Sequence, residues 1–84
     1  MTIKLYVLST QGDQLAEILK NMAEKGRFFE HWYTDINEDA QADLAKYNFT
    51  VLPVLFKTDD SDNSKATKLA EGDDILNLSA EQIV

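Results

Sequence analysis

Between residues 3 and 36 the hydrophobic period changes twice, and that change restricts the fold more than any other feature of the chain. Ile3 to Leu8 is a short apolar run with β-branched and aromatic members, which reads as a buried strand. Ser9 to Gly12 reads as a turn. Asp13 suits an N-cap or a first-turn position, with Glu17 farther into the helix. Leu15, Ile18, Leu19 and Met22 then follow helical spacing and give one apolar face, and Gly26 closes the helix as a C-cap. Phe28 to Ile36 returns to strand-forming residues, among them Phe, Trp, Tyr and Thr. Strand, helix and strand in succession imply a right-handed parallel crossover.

The rest of the chain extends this pattern. Asn37 or Asp39 caps a second helix that runs to about Tyr47. Its sparse apolar positions, Ala40, Leu44, Ala45 and Tyr47, predict a peripheral helix, and Asn48 stands where a left-handed residue would end it. Val51 to Lys57 reads as a third strand. It holds the only proline, Pro53, which a strand tolerates at its first residue. Thr58 to Ser64 is a polar turn. The fourth strand is either Ala66 to Ala70 or Asp74 to Leu78, and Ser79-Ala80-Glu81 begins a last helical turn. Two strands joined by a short loop imply an antiparallel hairpin. The expected fold is α/β: a mixed four-stranded sheet with helices packed on it, in one domain covering residues 1–84. The sequence contains no cysteine, so neither a disulfide nor a cysteine-ligated zinc can assist the core.

The formal net charge is -7. Nucleic acid and anionic membrane surfaces require clustered Lys and Arg, so neither is an expected partner. No apolar run approaches the ~20 residues of a membrane span. No signal-peptide pattern precedes the first strand, and the expected location is the cytoplasm. No glycine-rich phosphate loop is present.

Three segments, in order, carry a likeness to a known family. They are Leu5-Tyr6-Val7-Leu8-Ser9-Thr10-Gln11-Gly12, Tyr33-Thr34-Asp35-Ile36-Asn37 and Lys46-Tyr47-Asn48-Phe49-Thr50-Val51-Leu52-Pro53-Val54. Together they resemble the glutaredoxin-like proteins of the thioredoxin fold, over roughly residues 3 to 57 and only weakly beyond. The resemblance implies a three-layer fold of order β-α-β-α-β-β followed by a short helix. It implies a cis peptide before Pro53, facing the active-site helix, with the Leu52 backbone offered as a strand edge. It also places the family's two redox cysteines at Asp13 and Ala16, so that Asp13-Gln14-Leu15-Ala16 stands where the family has Cys-x-x-Cys. Disulfide exchange needs a sulfur nucleophile, which these positions lack. Asp13 keeps an anion at a helix N-terminus, where the dipole favours one. Its plain role is a helix cap worth about 1 kcal/mol; its functional role would be to receive a donor group from a partner. The family's glutathione site has a glycine-rich acidic turn near the last strand, matched only partly by Glu71-Gly72-Asp73-Asp74. Thr10, Gln11 and Gln14 are uncharged, and Lys4 lies too far along its strand to hold a glutathione carboxylate. These departures speak against glutathione.

Other clusters carry less. Asp60, Asp62, Ser64 and Glu71 fall at positions 1, 3, 5 and 12 of a calcium loop, but Lys65 occupies the position that needs glycine, so a solvated acidic loop is expected. His31, the only histidine, shares a strand face with Phe29 and Tyr33 and reads as partly exposed and structural. Trp32 is expected to pack between sheet and helix. No metal, cofactor or catalytic residue is expected. The leading expectation is a non-catalytic binding or adaptor module that meets a protein partner through Gln11, Gly12, Asp13, Gln14, Leu52 and Pro53, with Gly72 and Asp73 beside them. Two alternatives stand. One is a thiol-disulfide oxidoreductase whose cysteines were replaced at positions 13 and 16 or come from a partner. The other is a structural subunit of a complex.

Overall fold

The computed structural model describes residues 2–59 and 62–83. The order of elements is β1 (Thr2–Val7), α1 (Gly12–Glu24), β2 (Glu30–Tyr33), α2 (Glu38–Tyr47), β3 (Val54–Asp59) and β4 (Asp62–Glu71). Short 3-10 turns occupy Ser9–Gln11, Gly72–Asn77 and Ala80–Gln82. The strands form one mixed sheet in the order β2-β1-β3-β4. β1 runs parallel to β2 and antiparallel to β3, and β3 and β4 form an antiparallel hairpin. The element order expected from the period changes is the one observed.

Side-chain alternation divides the core into two layers, one on each sheet face. Leu5 and Val7 of β1 and Leu55 of β3 point to one face. There they meet Leu15, Ile18 and Met22 of α1, with Ile75 and Ile83 from the C-terminal turns. Tyr6 of β1 and Val54 and Phe56 of β3 point to the other face, against Ala40 of α2, with Leu44, Tyr47 and Phe49 around them. Phe56 is fully buried, and its ring lies 4.8 Å from that of Tyr6 and 5.0 Å from that of Phe49. The Tyr6 hydroxyl donates to Asp43 Oδ2 at 2.6 Å, which ties α2 to the central strand. Burial, reinforced by that carboxylate, pushes the Tyr6 phenol well above its ordinary pKa.

The helix ends follow local chemistry. The Asn37 side chain accepts the Ala40 N–H at 3.0 Å and caps α2. Asn48 closes it with φ of 58°, the left-handed conformation that asparagine tolerates best after glycine. At the end of α1, Lys25 is the C-cap and Gly26 takes φ of 68° one residue later. This lets the Arg27 N–H return to Met22 O at 2.9 Å.

Several boundaries differ from the sequence reading. The second strand spans only Glu30–Tyr33, not Phe28 to Ile36. Phe28 and Ile36 are largely exposed because they lie outside the strand, Phe28 in the irregular segment before it and Ile36 in a turn whose N–H returns to Tyr33 O at 3.3 Å. Trp32 is also about half exposed rather than packed between sheet and helix, since α2 contributes mostly polar groups beside it. Leu19 turns away from the buried stripe of Leu15, Ile18 and Met22. β3 starts at Val54, so Pro53 precedes the strand instead of lying within it. The fourth strand contains Ala66 to Ala70, and Asp74 to Leu78 belongs to a 3-10 turn and its exit. The calcium-loop pattern, with Asp60 and the side chains of Asp62 and Ser64, lies outside the described residues.

Since Phe56 unites the aromatic cluster of the α2 face, Phe56→Ala is expected to destabilise the fold by about 3–5 kcal/mol. Urea unfolding followed by tryptophan fluorescence checks this; a loss under ~1 kcal/mol would mean that the cluster is not the core of that face.

Candidate functional site

Parallel pairing sets the C-terminal ends of β1 and β2 side by side. The register runs from Lys4 opposite Glu30 to Val7 opposite Tyr33. Continued by two residues, it brings Ser9 beside Asp35. The Ser9 N–H donates to Asp35 Oδ1 at 2.9 Å, and the Ser9 hydroxyl donates to Asp35 Oδ2. Both bonds favour the ionised carboxyl, so they hold the Asp35 pKa below the usual aspartate value, with the hydroxyl bond the larger cause. This clamp fixes the start of the turn that leads into α1.

Gln11 fixes its end. The Leu8 N–H donates to Gln11 Oε1 at 2.9 Å. The other end of the same amide, Nε2, donates to Leu52 O at 3.1 Å. The side chain therefore spans from the β1–α1 turn to the loop before β3, and both of its ends are used inside the protein. The Leu52–Pro53 peptide is cis, and Pro53 is buried. The Leu52 carbonyl, which the resemblance offered as an open strand edge, is taken by Gln11.

Pro53 O then accepts the Gly72 N–H at 2.8 Å. Gly72 has φ of 58°, a region that side chains with a Cβ seldom adopt, so the turn after β4 depends on glycine there. The space beside it is not tight, since a Cβ would meet Val51 Cγ1 only at 3.9 Å.

These links draw three distant segments into one cleft. Gln14, Glu17 and Ile18 of α1 face Pro53 on one side and Gly72, Asp73 and Leu76 on the other. Its cavity volume is about 20 Å³. That accommodates about one water molecule, whereas pockets for small ligands run to roughly 300–1,000 Å³. Glu17 and Asp73 are the charged residues in its lining, and no lysine or arginine offsets them.

Of the residues expected at the site, Gln14, Pro53, Gly72 and Asp73 line this cleft. Gln11 and Leu52 are hydrogen-bonded to each other and do not line it. Gly12 and Asp13 begin α1, with Asp13 exposed; Gln11 takes the N-cap position, so Asp13 is a first-turn residue. Ala16 is exposed on the same helix. Sequence reasoning missed Glu17, Ile18 and Leu76. The first two stand three and four residues after Gln14, which is the spacing that shares a helix face. It also missed the Ser9–Asp35 clamp, although the parallel register implies it.

A second groove lies on the opposite sheet face. It has a volume of about 200 Å³ and is lined by Lys4, Tyr6, Trp32, Asn37, Asp39, Ala40 and Asp43. Lys4 therefore points away from the Pro53 cleft. Among the described residues, no group of three or more His, Asp and Glu side chains is placed to hold a metal ion, and no helix is long and apolar enough to cross a membrane.

No family model, curated protein or solved structure matches this chain.

The clamp has a readable pH signature. A carbon-detected NMR titration is expected to place the Asp35 midpoint below the ordinary aspartate value of about 3.9, and Ser9→Ala is expected to raise it. A lowered folded pKa stabilises above the unfolded pKa and is lost as pH falls through the folded one. The stability lost in Asp35→Asn should thus be greatest near neutral pH and shrink as the medium is acidified below about pH 4. An Asp35 midpoint at or above the ordinary value would contradict the clamp.

Proposed function

We propose that this chain is a glutaredoxin-like domain of the thioredoxin fold that has no thiol chemistry of its own and serves as a non-catalytic binding module. The supporting fold evidence is the element order, the mixed sheet in the order β2-β1-β3-β4 and the position of the Pro53 loop against α1. The observation that carries the functional reading is the convergence of Gln14, Pro53, Gly72 and Asp73 in one cleft, although they come from three separate stretches of sequence.

The chemistry follows from the surroundings of that convergence. A thiol exchange step has no nucleophile, because no residue of the chain supplies sulfur as a thiol. The cavity is too small to enclose a tripeptide, and its charged lining is acidic, so glutathione, itself an anion, is a poor fit. An exposed surface can still bind a protein segment without enclosing it. Glu17 and Asp73 present carboxylates in the cleft lining, with Asp13 exposed in the first turn of the same helix, and the matching group on a partner is a lysine or arginine side chain. Binding then depends on steering by charge and weakens with salt. The module would deliver or hold a basic segment of a partner protein rather than transform a substrate.

Amide-resolved NMR titration tests this reading with two probes, a short peptide rich in arginine and lysine and reduced glutathione. The peptide is expected to give saturable shifts confined to Gln11–Gln14, Glu17 and Gly72–Asp73, while glutathione gives none. Combining Glu17→Gln with Asp73→Asn should weaken the peptide at least ~10-fold, which corresponds to about 1.4 kcal/mol. Peptide shifts scattered over the surface, or unchanged affinity in the double variant, would remove the site from this role.

A further inference from the structure

The groove on the α2 face is much the larger of the two described above, with a volume of about 200 Å³ against about 20 Å³ for the Pro53 cleft. Its floor comes from the sheet. Lys4 and Tyr6 stand two residues apart on β1 and share this face. Trp32 of β2 lies opposite Tyr6 in the parallel register. Its wall comes from α2, where Asp39 and Asp43 stand four residues apart on one face of the helix. Ala40 lies on the same wall, and its methyl group is too short to fill the space.

The polar groups of this groove are held in place by the fold. The Tyr6 hydroxyl donates to Asp43 Oδ2 at 2.6 Å, and an ionised carboxylate keeps further lone pairs for a second donor. Asn37 Oδ1 is occupied by the Ala40 N–H, and the NH2 of the same amide carries two donors. Lys4 is half-buried, and Trp32 keeps 41% of its surface exposed. Among the described residues of the lining, Lys4 is the cation and Asp39 and Asp43 are the anions. The cation belongs to the strand floor and the anions to the helix wall.

This separation of charge selects a ligand that carries both signs. A simple anion would meet two carboxylates, and a simple cation would meet Lys4. A zwitterion satisfies both. The volume lies below the roughly 300–1,000 Å³ of sites for drug-sized molecules, which points to a ligand of amino-acid size. The exposed indole adds a flat apolar surface that favours a ring. We propose that this groove binds a free α-amino acid with an aromatic side chain. The ammonium donates to Asp39 and Asp43, the carboxylate accepts from Lys4 Nζ, and the ring packs on Trp32. The groove lies on the sheet face opposite the Pro53 cleft and does not depend on that cleft's role.

Trp32 is the only tryptophan of the chain, so its fluorescence reads the groove directly. L-phenylalanine at neutral pH is the probe, and it is expected to change the emission saturably, with a Kd on the order of 1 mM or tighter. Phenethylamine lacks the carboxylate and hydrocinnamate lacks the ammonium, and each should bind at least ~10-fold more weakly. Lys4→Met keeps the apolar stem and removes the charge. It should weaken phenylalanine at least ~10-fold and leave phenethylamine no weaker than before. Asp39→Asn should weaken phenylalanine and phenethylamine but not hydrocinnamate. Amide spectra of both variants establish that they are folded, and in the parent chain the phenylalanine shifts should fall on the Trp32 indole and the Asn37 side-chain amide. No saturable change up to ~10 mM phenylalanine overturns the proposal. So does equal affinity for the three probes, which would reduce the groove to a surface for any benzene ring. Phenylalaninamide, a stand-in for a peptide N-terminus, should bind as weakly as phenethylamine; binding as tight as that of phenylalanine would remove the carboxylate from recognition and overturn the assignment to a free amino acid.

Discussion

The structure depends on β1 being paired on both edges and packed on both faces. It takes β2 in parallel on one side and β3 in antiparallel on the other. Leu5 and Val7 supply the α1 core, while Tyr6 supplies the α2 core. A strand so fully committed leaves its C-terminal end as the fixed point of the molecule. The turn leaving that end is held twice, by Ser9 against Asp35 and by Gln11 against Leu52. The N-terminus of α1, next along the chain, has little freedom to choose its position relative to Pro53.

That constraint explains why the acidic cleft exists at all. One amide side chain, Gln11, connects the turn before α1 to the Pro53 loop, and Pro53 in turn receives the Gly72 N–H. The chain of bonds crosses three segments far apart in sequence. It is built almost wholly from backbone groups and one neutral side chain, so the carboxylates at the cleft mouth remain available. The binding proposal rests on this division: neutral groups link the Pro53 loop to α1 and to the Gly72 turn, and Asp13, Glu17 and Asp73 meet solvent. The sequence has no cysteine and so offers no thiol of its own, and the binding proposal takes the open surface around the cleft as its mode of contact.

Much of this was legible in the sequence because hydrophobic period and capping chemistry are local. The stripe Leu15, Ile18 and Met22, a cap at Asn37 or Asp39 and the left-handed Asn48 all follow from residue type and spacing, and the structure puts the cap at Asn37. Four cleft residues were reached through resemblance alone, since nothing in the spacing of Gln14, Pro53, Gly72 and Asp73 brings them together. Phe28, Trp32 and Ile36 are strand formers by type, yet Phe28 and Ile36 fall outside the short strand and Trp32 meets the polar side of α2. Leu19 fits helical spacing but sits at the border of the buried stripe, in an open groove with Ala23 and Phe28. Pro53 marks the approach to β3 but not the residue that first joins the ladder, so the strand begins at Val54 rather than Val51. The internal use of the Gln11 amide was hidden, because a glutamine in a turn looks the same whether it faces a ligand or a neighbouring carbonyl.

The central claim is that α1, the Pro53 loop and the Gly72 turn form one preformed unit with Gln11 as its connection. Hydrogen–deuterium exchange on Gln11→Ala, read amide by amide, tests it most directly. The account predicts faster exchange at Gly72 as well as at Leu8, because releasing Leu52 O loosens the loop whose Pro53 carbonyl holds the Gly72 N–H. Faster exchange at Leu8 with Gly72 unchanged would contradict it, leaving the cleft as three independent segments that merely lie close together.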